Sequence, residues 1–260
     1  MFVTSRDNNV IRQYRHLSAD GKFRRETGRF VVEGARLCED AALSHVTIET
    51  LLYTASAAER YAPQVQTVIE AASSVYEITD SLALHISDTK SPQGLFCICL
   101  MPDGALPHLL PDGRYAALEA VQDPSNLGAM IRTAEALGLN GLLLSDGCCD
   151  PYNPKVLRGS MGGVFRLPLY LCGDFSSTLP QLSQDGFTTV ACVVDETAQP
   201  VQSVSLGEGT VVVIGNEGNG LREETVKCCD LAMTIPMMGR AESLNASMAA
   251  GIVFWEMMRG

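Results

Sequence analysis

Near its carboxyl end the chain reads Thr234-Ile-Pro-Met-Met-Gly-Arg-Ala-Glu-Ser-Leu-Asn-Ala-Ser-Met-Ala-Ala-Gly251, followed by the apolar segment Ile252 to Met258. A short apolar strand is predicted to stop at Pro236, and a helix is predicted to begin near Leu244. From Ala246 to Trp255 the only polar side chain is that of Ser247, so a helix here would have no solvent face. The segment is too short to span a bilayer. We therefore expect a rigid loop between a strand and a buried helix, a typical ligand site in α/β proteins. An ordinary helix cap is the alternative.

Bulk composition indicates a globular intracellular protein. The chain has 260 residues, of which 46% are hydrophobic, enough for one large or two modest cores. Its nine cysteines form no C-x-x-C pair, which argues against both a metal site and a disulfide framework and favours a reducing cytoplasm. The amino terminus lacks the apolar core of a signal peptide, and no run is long enough to be a membrane span.

Charge is distributed unevenly along the chain. The net charge is -11 and the pI about 4.8, which taken alone disfavours a nucleic-acid partner. Residues 1–36, however, contain eight basic and four acidic side chains, a local charge of +4. This asymmetry allows a basic contact surface on an acidic body, although a solvated helical face gives the same pattern.

A segment rich in proline and glycine, 103–113, is predicted to be a linker between two α/β regions. Residues 1–102 alternate helices and strands over about a hundred residues, as in a small α/β domain. In residues 114–260 the alternation is clearer. Six apolar runs are predicted to be buried strands with helices between most of them, which implies a parallel sheet covered on both faces. Ligands of such sheets bind outside the carboxyl ends of the strands. The predicted strands of this second region are Tyr115 to Val121, Gly141 to Leu144, Leu167 to Leu171, Thr188 to Val194, Thr210 to Ile214 and Leu231 to Ile235.

One candidate loop for chemistry begins at Val121 and leads into a predicted helix from Asn126 to Leu137. Pro124 ends the strand, and Ser125 or Asn126 can cap the helix. Arg132 follows among apolar neighbours, so its charged side chain either snorkels to solvent or faces a site.

A second candidate loop follows the strand that ends at Ile214. Its glycines fall at 215, 218 and 220, which is neither the G-x-G-x-x-G order of a dinucleotide fingerprint nor a P-loop. A nicotinamide-dependent enzyme is therefore disfavoured. The glycines and asparagines around Glu217 allow unusual backbone angles, which bring main-chain groups close to a flat ligand.

Together the three loops resemble the SpoU, or TrmH-like, RNA 2'-O-ribose methyltransferases of the SPOUT superfamily. The matching blocks occur in order: Asn126-Leu-Gly-Ala-Met-Ile-Arg132, Gly215-Asn-Glu-Gly218, Ile235-Pro-Met237 and Ser243-Leu-Asn245. The first region, around Gly28 to Ala41, is similar to the L30e-like substrate-binding domain that often precedes this catalytic domain.

The resemblance implies a carboxyl-terminal deep trefoil knot, S-adenosylmethionine as cofactor, and a homodimer. It implies RNA as the substrate, with ribosomal RNA favoured over transfer RNA. A non-catalytic RNA-binding protein that keeps the fold is the alternative. The implied catalytic residues are Asn126, Arg132, Glu217, Ser243 and Asn245. The implied cofactor contacts are Gly215, Ile235, Met237 and Leu244. Candidate RNA contacts are Arg24, Arg25 and Arg158.

Methyl transfer to a ribose 2'-hydroxyl requires the oxygen to lose a proton while the sulfonium loses its charge, and it requires no metal. In this family the residue matching Arg132 is often taken as the proton acceptor, but a guanidinium has a pKa above ~12 and stays charged. We expect Arg132 instead to stabilise negative charge on the oxygen and to orient the RNA. Glu217, the RNA phosphate and water are the open alternatives for the acceptor.

Overall fold

The computed structural model describes residues 1–102 and 109–259. Of the predicted linker at 103–113, residues 103–108 lie outside the described residues. Contacts divide the described chain into two units, one of residues 1–102 with 150–165, the other of residues 109–149 with 166–259. The division predicted from the sequence is contiguous and does not include this return of the chain to the first unit.

The helices and strands alternate through both units. In chain order they are β1 (Phe2–Val3), α1 (Asn9–Ala19), α2 (Gly21–Thr27), β2 (Arg29–Glu33), α3 (Ala35–Leu43), β3 (Ile48–Thr54), α4 (Ala55–Arg60), α5 (Ala62–Ala71), β4 (Ala72–Ile78), α6 (Asp80–Ile86), β5 (Leu95–Leu100), β6 (Arg114–Leu118), α7 (Pro124–Leu137), β7 (Gly141–Ser145), α8 (Pro154–Ser160), α9 (Gly163–Arg166), β8 (Leu169–Gly173), α10 (Phe175–Gln184), β9 (Thr188–Cys192), β10 (Gln199–Pro200), β11 (Thr210–Ile214), α11 (Glu223–Lys227), β12 (Leu231–Thr234) and α12 (Ala246–Arg259), with a 3-10 turn at Val201–Ser203.

The first unit contains a five-stranded mixed sheet of order β1-β4-β3-β5-β2. Strand β5 pairs antiparallel with both β2 and β3, whereas β1, β3 and β4 are parallel. Helix α1 places Ile11, Tyr14 and Leu17 on one face, and all three are buried in a core with residues of β2, β3 and β5. Residues 55–71 form two consecutive helices, α4 and α5. Pro63 lies in the first turn of the second one, where its missing amide hydrogen costs nothing.

The second unit is built on a seven-stranded sheet of order β10-β12-β9-β11-β6-β7-β8. Every pairing in this sheet is parallel, and the central strand β11, Thr-Val-Val-Val-Ile, is buried along its whole length. The predicted fold, an α/β chain with a parallel sheet and a smaller amino-terminal α/β part, is therefore confirmed. Such a sheet brings the carboxyl ends of its strands to one edge.

The last helix, α12, is only half buried, so the prediction that it has no solvent face is wrong for this chain alone. One face packs on α7 and includes Ala250, Val253 and Phe254, all fully buried. Met248 and Trp255 retain 67% and 56% of their exposure. They are seven residues apart, and the helical period puts them on the opposite face. None of the helices in the described ranges has the length and apolar character to cross a membrane.

Candidate functional site

The ends of three neighbouring strands surround a cavity of about 620 Å³ in the second unit. Its walls come from the residues after β9, the loop after β11, and the chain between β12 and α12. This is the edge of the sheet where parallel α/β proteins bind ligands. Six of the predicted site residues line the cavity: Gly215, Glu217, Ile235, Met237, Ser243 and Leu244.

The loop after β11 is a tight turn that only glycine permits at its first position. A Cβ on Gly215 would collide with the backbone of Gly220 and Leu221. Asn216 closes the turn, because its backbone amide donates to the Gly220 carbonyl at 3.0 Å and its own carbonyl accepts from the Gly220 amide at 3.0 Å. Its side chain donates to the Ala120 carbonyl at 2.7 Å, which ties the loop to the residue that follows β6 and Glu119. Asn216 therefore holds this loop against the chain that follows β6.

A chain of hydrogen bonds joins the three candidate loops. Helix α7 is capped by Asp123 and not, as predicted, by Ser125 or Asn126, because the helix already begins at Pro124. Asn126 Nδ2, in the first turn of α7, donates to Glu217 Oε1 at 2.9 Å. Asn245 Nδ2 donates to Asn126 Oδ1 at 3.1 Å. Asn245 Oδ1 in turn accepts from the Ser247 amide at 2.9 Å and so caps α12. The helix-cap interpretation of the carboxyl-terminal stretch is therefore confirmed at Asn245, and ligand binding by the same stretch stays a prediction.

Three of the predicted catalytic residues do not line the cavity. Asn126 contacts the lining residue Glu217, and Asn245 lies between the lining residues Leu244 and Ala246. The third is Arg132. Arg132 is exposed on α7, and within residues 1–102 and 109–259 its guanidinium has no hydrogen bond or ion pair. A free guanidinium can bind an anionic partner from solution by donating hydrogen bonds to it.

The cavity lining is acidic. It includes four carboxylates, and the lining residues of the described chain contain no lysine or arginine. The acidic residues are Asp195, Glu217, Glu223 and Glu242. Cys192 also lines the cavity, and burial raises the pKa of its thiol to about 11, so that it stays neutral near pH 7. Such a lining favours a ligand that carries positive charge.

Glu119, Arg222 and Asp174 form an ion-pair cluster next to the cavity that is not predicted from the sequence. Glu119 is buried with 2% exposure, and its carboxylate accepts from Arg222 Nε at 2.8 Å. Arg222 also donates to Asp174 Oδ1 at 2.6 Å, and this contact lowers the pKa of the Asp174 carboxyl to about 2. The only signal in the sequence is an isolated acidic residue at the end of an apolar strand, and its partner lies 103 positions away.

The three predicted RNA contacts have different surroundings in the first unit. Arg24 is 2% exposed. Its Nε donates to Asp150 Oδ2 at 2.7 Å and its Nη1 to the Leu17 carbonyl at 2.6 Å, so the prediction that Arg24 contacts RNA is corrected. The guanidinium is already hydrogen-bonded inside the protein, because residues 150–165, which include Asp150, pack with this unit. Arg25 is exposed, and Arg158 pairs with Asp88 at 2.6 Å.

The fold and the site define an α/β protein with an acidic ligand cavity at the carboxyl ends of parallel strands. Residues 113–255 match the SpoU rRNA Methylase family, and residues 8–97 match the MRM3-like substrate binding domain. The chain therefore belongs to the SpoU rRNA methylase family, and the resemblance drawn from the three loops is confirmed.

Similar proteins span nearly the whole chain. The 23S rRNA (guanosine(2553)-2'-O)-methyltransferase RlmP of Bacillus subtilis (strain 168) is 29% identical over 98% of this chain and 98% of its own. An AdoMet-bound rRNA methyltransferase from Sinorhizobium meliloti is similar with a TM-score of 0.87 and 29% identity, over 100% of this chain and 97% of that one. The SpoU methyltransferase AviRb from Streptomyces viridochromogenes, in complex with AdoMet, gives 0.86 and 26%, over 97% of both chains.

Proposed function

We propose that this protein is an S-adenosylmethionine-dependent methyltransferase that modifies a ribose 2'-hydroxyl in ribosomal RNA. The observation that carries the proposal is the hydrogen-bonded chain Glu217-Asn126-Asn245, which joins the three motif loops beside the cavity. The family to which the chain belongs and the 23S rRNA 2'-O-methyltransferase among its full-length relatives support the same substrate class.

The cavity suits the cofactor in size and charge. Its volume of about 620 Å³ falls within the range of roughly 300 to 1,000 Å³ that is usual for small-molecule sites. When bound, S-adenosylmethionine supplies a methyl group activated by a positively charged sulfonium. The acidic lining complements that charge and the charge of the cofactor's amino group. We propose that Gly215, Ile235, Met237 and Leu244 hold the cofactor.

The polar residues beside the cavity divide the remaining tasks. We propose that Arg132 stabilises negative charge on the ribose oxygen and binds the adjacent phosphate, since a guanidinium with a pKa above ~12 does not act as a base near pH 7. Glu217 is the proposed proton acceptor. Its Oε1 accepts a hydrogen bond from the side-chain amide of Asn126. Within the described chain, Oε2 has no hydrogen bond. Ser243 and Asn245 shape the third loop.

Substrate binding is proposed for residues 1–102 and methyl transfer for residues 114–260. Two observations support the first assignment: the basic excess of residues 1–36 and the match of residues 8–97 to a substrate-binding domain. Arg25 and Arg158 remain the proposed RNA contacts. Ribosomal RNA as the substrate would be consistent with a cytoplasmic location, as would the nine free cysteines.

The trefoil knot and the homodimer are also proposed from the family resemblance. For the knot, the supporting feature is the strand order, in which β12 lies between β9 and β10. For the dimer, it is the exposed apolar face of α12, with Met248, Ile252 and Trp255 exposed by 67%, 39% and 56%. An apolar face of this kind is a common interface feature.

Transfer of labelled methyl groups tests the proposal. The protein is incubated with methyl-tritiated S-adenosylmethionine and with unmodified ribosomal RNA or transfer RNA. We expect cofactor-dependent label in ribosomal RNA. The variant Arg132→Ala should bind cofactor normally in calorimetry, because Arg132 does not line the cavity, but should transfer no methyl group. Label in transfer RNA alone would overturn the substrate. RNA binding without label would indicate the non-catalytic alternative.

A further inference from the structure

A buried carboxylate stands directly behind the cofactor loop. Glu119 follows β6, and its amide donates to the Ile214 carbonyl at 2.8 Å, so it lies beside the point where the loop after β11 begins. The residue is 2% exposed. A carboxylate so deeply buried keeps its charge only if it is paired and hydrogen-bonded.

Three donors satisfy the Glu119 carboxylate, and all three come from residues that directly follow the same loop, Arg222 and Thr225. The Arg222 amide donates to Oε2 at 2.9 Å, and Arg222 Nε donates to Oε1 at 2.8 Å. The Thr225 hydroxyl also donates to Oε1. One buried side chain thus fixes both the backbone and the side chain of Arg222, together with the first turn of α11.

These side chains act on the cavity from outside it. Neither Glu119, Arg222 nor Thr225 lines the cavity, whereas Leu221 and Glu223, on either side of Arg222, both do. At the near end of the loop, Asn216 is tied to Ala120, the residue after Glu119. The loop is therefore held at both ends by consecutive residues that follow β6.

We propose that Glu119 and Arg222 are positioning residues that hold the loop Gly215–Leu221 in its cofactor-binding conformation. They set the affinity for S-adenosylmethionine and leave the methyl-transfer step itself to other residues. This inference rests on the proposed function, because it takes S-adenosylmethionine as the ligand of the cavity. A preorganised loop binds more tightly because the free energy of ordering it is not taken from binding.

The test compares Arg222→Ala with two graded variants. Arg222→Lys keeps a cation but loses the planar fork that reaches both Glu119 and Asp174. Asp174→Asn is the matched control. It removes charge only at the exposed end of the pair, and the asparagine can still cap α10. Cofactor affinity is measured by calorimetry, KM for the cofactor and kcat in the methyl-transfer assay, and folding by thermal denaturation.

We expect Arg222→Ala to raise Kd and KM for S-adenosylmethionine at least about tenfold, with kcat at saturating cofactor within about threefold of wild type. Arg222→Lys should fall between, and Asp174→Asn should change Kd less than about twofold, as is usual for an exposed ion pair. In hydrogen exchange without ligand, Arg222→Ala should speed exchange in residues 215–221 but not in β6 or β7. If Arg222→Ala fails to fold, the lysine variant decides the matter by the same criteria.

Two results would overturn the inference while leaving the proposed function intact. One is an unchanged Kd in a folded Arg222→Ala or Arg222→Lys protein. The other is a loss of kcat with no change in KM for the cofactor, which would place Arg222 in the chemical step. If the wild-type protein itself does not bind S-adenosylmethionine, the proposed function fails and the inference fails with it.

Discussion

At the scale of single residues, Gly215 is the most constrained position of the cofactor loop. An added Cβ would collide with the backbone of Gly220 and Leu221, which cannot move without opening the turn. We expect Gly215→Ala to lose cofactor binding by at least about tenfold in calorimetry while the circular dichroism of the fold is retained. Gly207→Ala is the control, because a Cβ there would meet nothing within 4 Å and Gly207 does not line the cavity. Equal affinity in the two variants would refute this account of the loop.

Glu217 carries the proposed role in proton transfer. Glu217→Gln preserves the size of the side chain and an oxygen for the Asn126 bond, but it removes the base. We expect kcat to fall by about 10²- to 10⁴-fold, the usual contribution of a general base, while cofactor affinity falls far less. Glu196→Gln changes an exposed carboxylate outside the cavity and should leave kcat unaltered. A near-normal kcat for Glu217→Gln would assign the proton to phosphate or water.

The residues that line the cavity are easier to predict from the sequence than the residues that hold its loops in place. Gly215, Glu217 and Ile235 could be singled out because loops rich in glycine and asparagine at strand ends are uncommon without a ligand. Glu119 and Arg222 could not be paired, since nothing in a sequence links two charges 103 positions apart. The burial of Arg24 could not be predicted for a related reason. Its partner Asp150 lies 126 positions away, and only the packing of residues 150–165 buries the pair.

At the scale of elements, Asn245 couples α12 to α7. Its Oδ1 caps α12 through the Ser247 amide, and its Nδ2 reaches Asn126. Asn245→Ala should destabilise the protein by about 1 kcal/mol through the lost cap, and it should lower both cofactor affinity and rate because the third loop loosens.

Asn245→Asp separates the two contributions. The aspartate retains an acceptor for the cap but loses the donor to Asn126. Denaturation should therefore show near wild-type stability for Asn245→Asp, whereas calorimetry and the transfer assay should still show reduced binding and rate. Full activity of Asn245→Asp would mean that the bond to Asn126 has no part in organising the site.

Buried strands were predicted closely because continuous apolar runs leave few other interpretations, and β11 at Thr210–Ile214 matches its prediction to the residue. The polar helix α2 was not predicted, because its seven residues bury only Arg24 and so show no apolar stripe. For α12 the apolar composition was noted correctly, but the inference of burial on all sides failed. Met248 and Trp255 are exposed in the single chain.

At the scale of the whole molecule, the exposed apolar face of α12 is the surface proposed to contact a second copy of the chain. If the proposed homodimer uses this face, Trp255→Glu should raise the dimer dissociation constant at least about tenfold, a change of about 1.4 kcal/mol, because it would bury an unpaired charge. Sedimentation of both proteins measures this. Leu43→Glu alters an apolar side chain of similar exposure, 65% against 56%, in the first unit and should leave the dimer intact. A wild-type monomer, or an unaffected Trp255→Glu dimer, would contradict the proposal.

Two α/β regions can be expected from the sequence, but the return of residues 150–165 to the first unit cannot. The segment rich in proline and glycine, 103–113, predicts a boundary between two α/β regions. One family model matches residues 8–97 and another matches residues 113–255. Contacts of Phe30 with Tyr152 and Phe165, at ring-centroid distances of 4.7 and 6.3 Å, attach residues 150–165 to the first unit. Aromatic contacts between distant positions leave no local pattern.

Nucleoside analysis of the product shows whether the protein methylates a ribose 2'-hydroxyl of ribosomal RNA. Ribosomal RNA treated with the protein and S-adenosylmethionine is digested to nucleosides and analysed by mass spectrometry, with Arg132→Ala as the matched inactive control. We expect one new nucleoside with about 14 added mass units on the ribose, found only with the wild-type protein, because one hydrogen is replaced by a methyl group at a single positioned oxygen. A methyl group on a base, or an equal product from Arg132→Ala, would contradict this expectation.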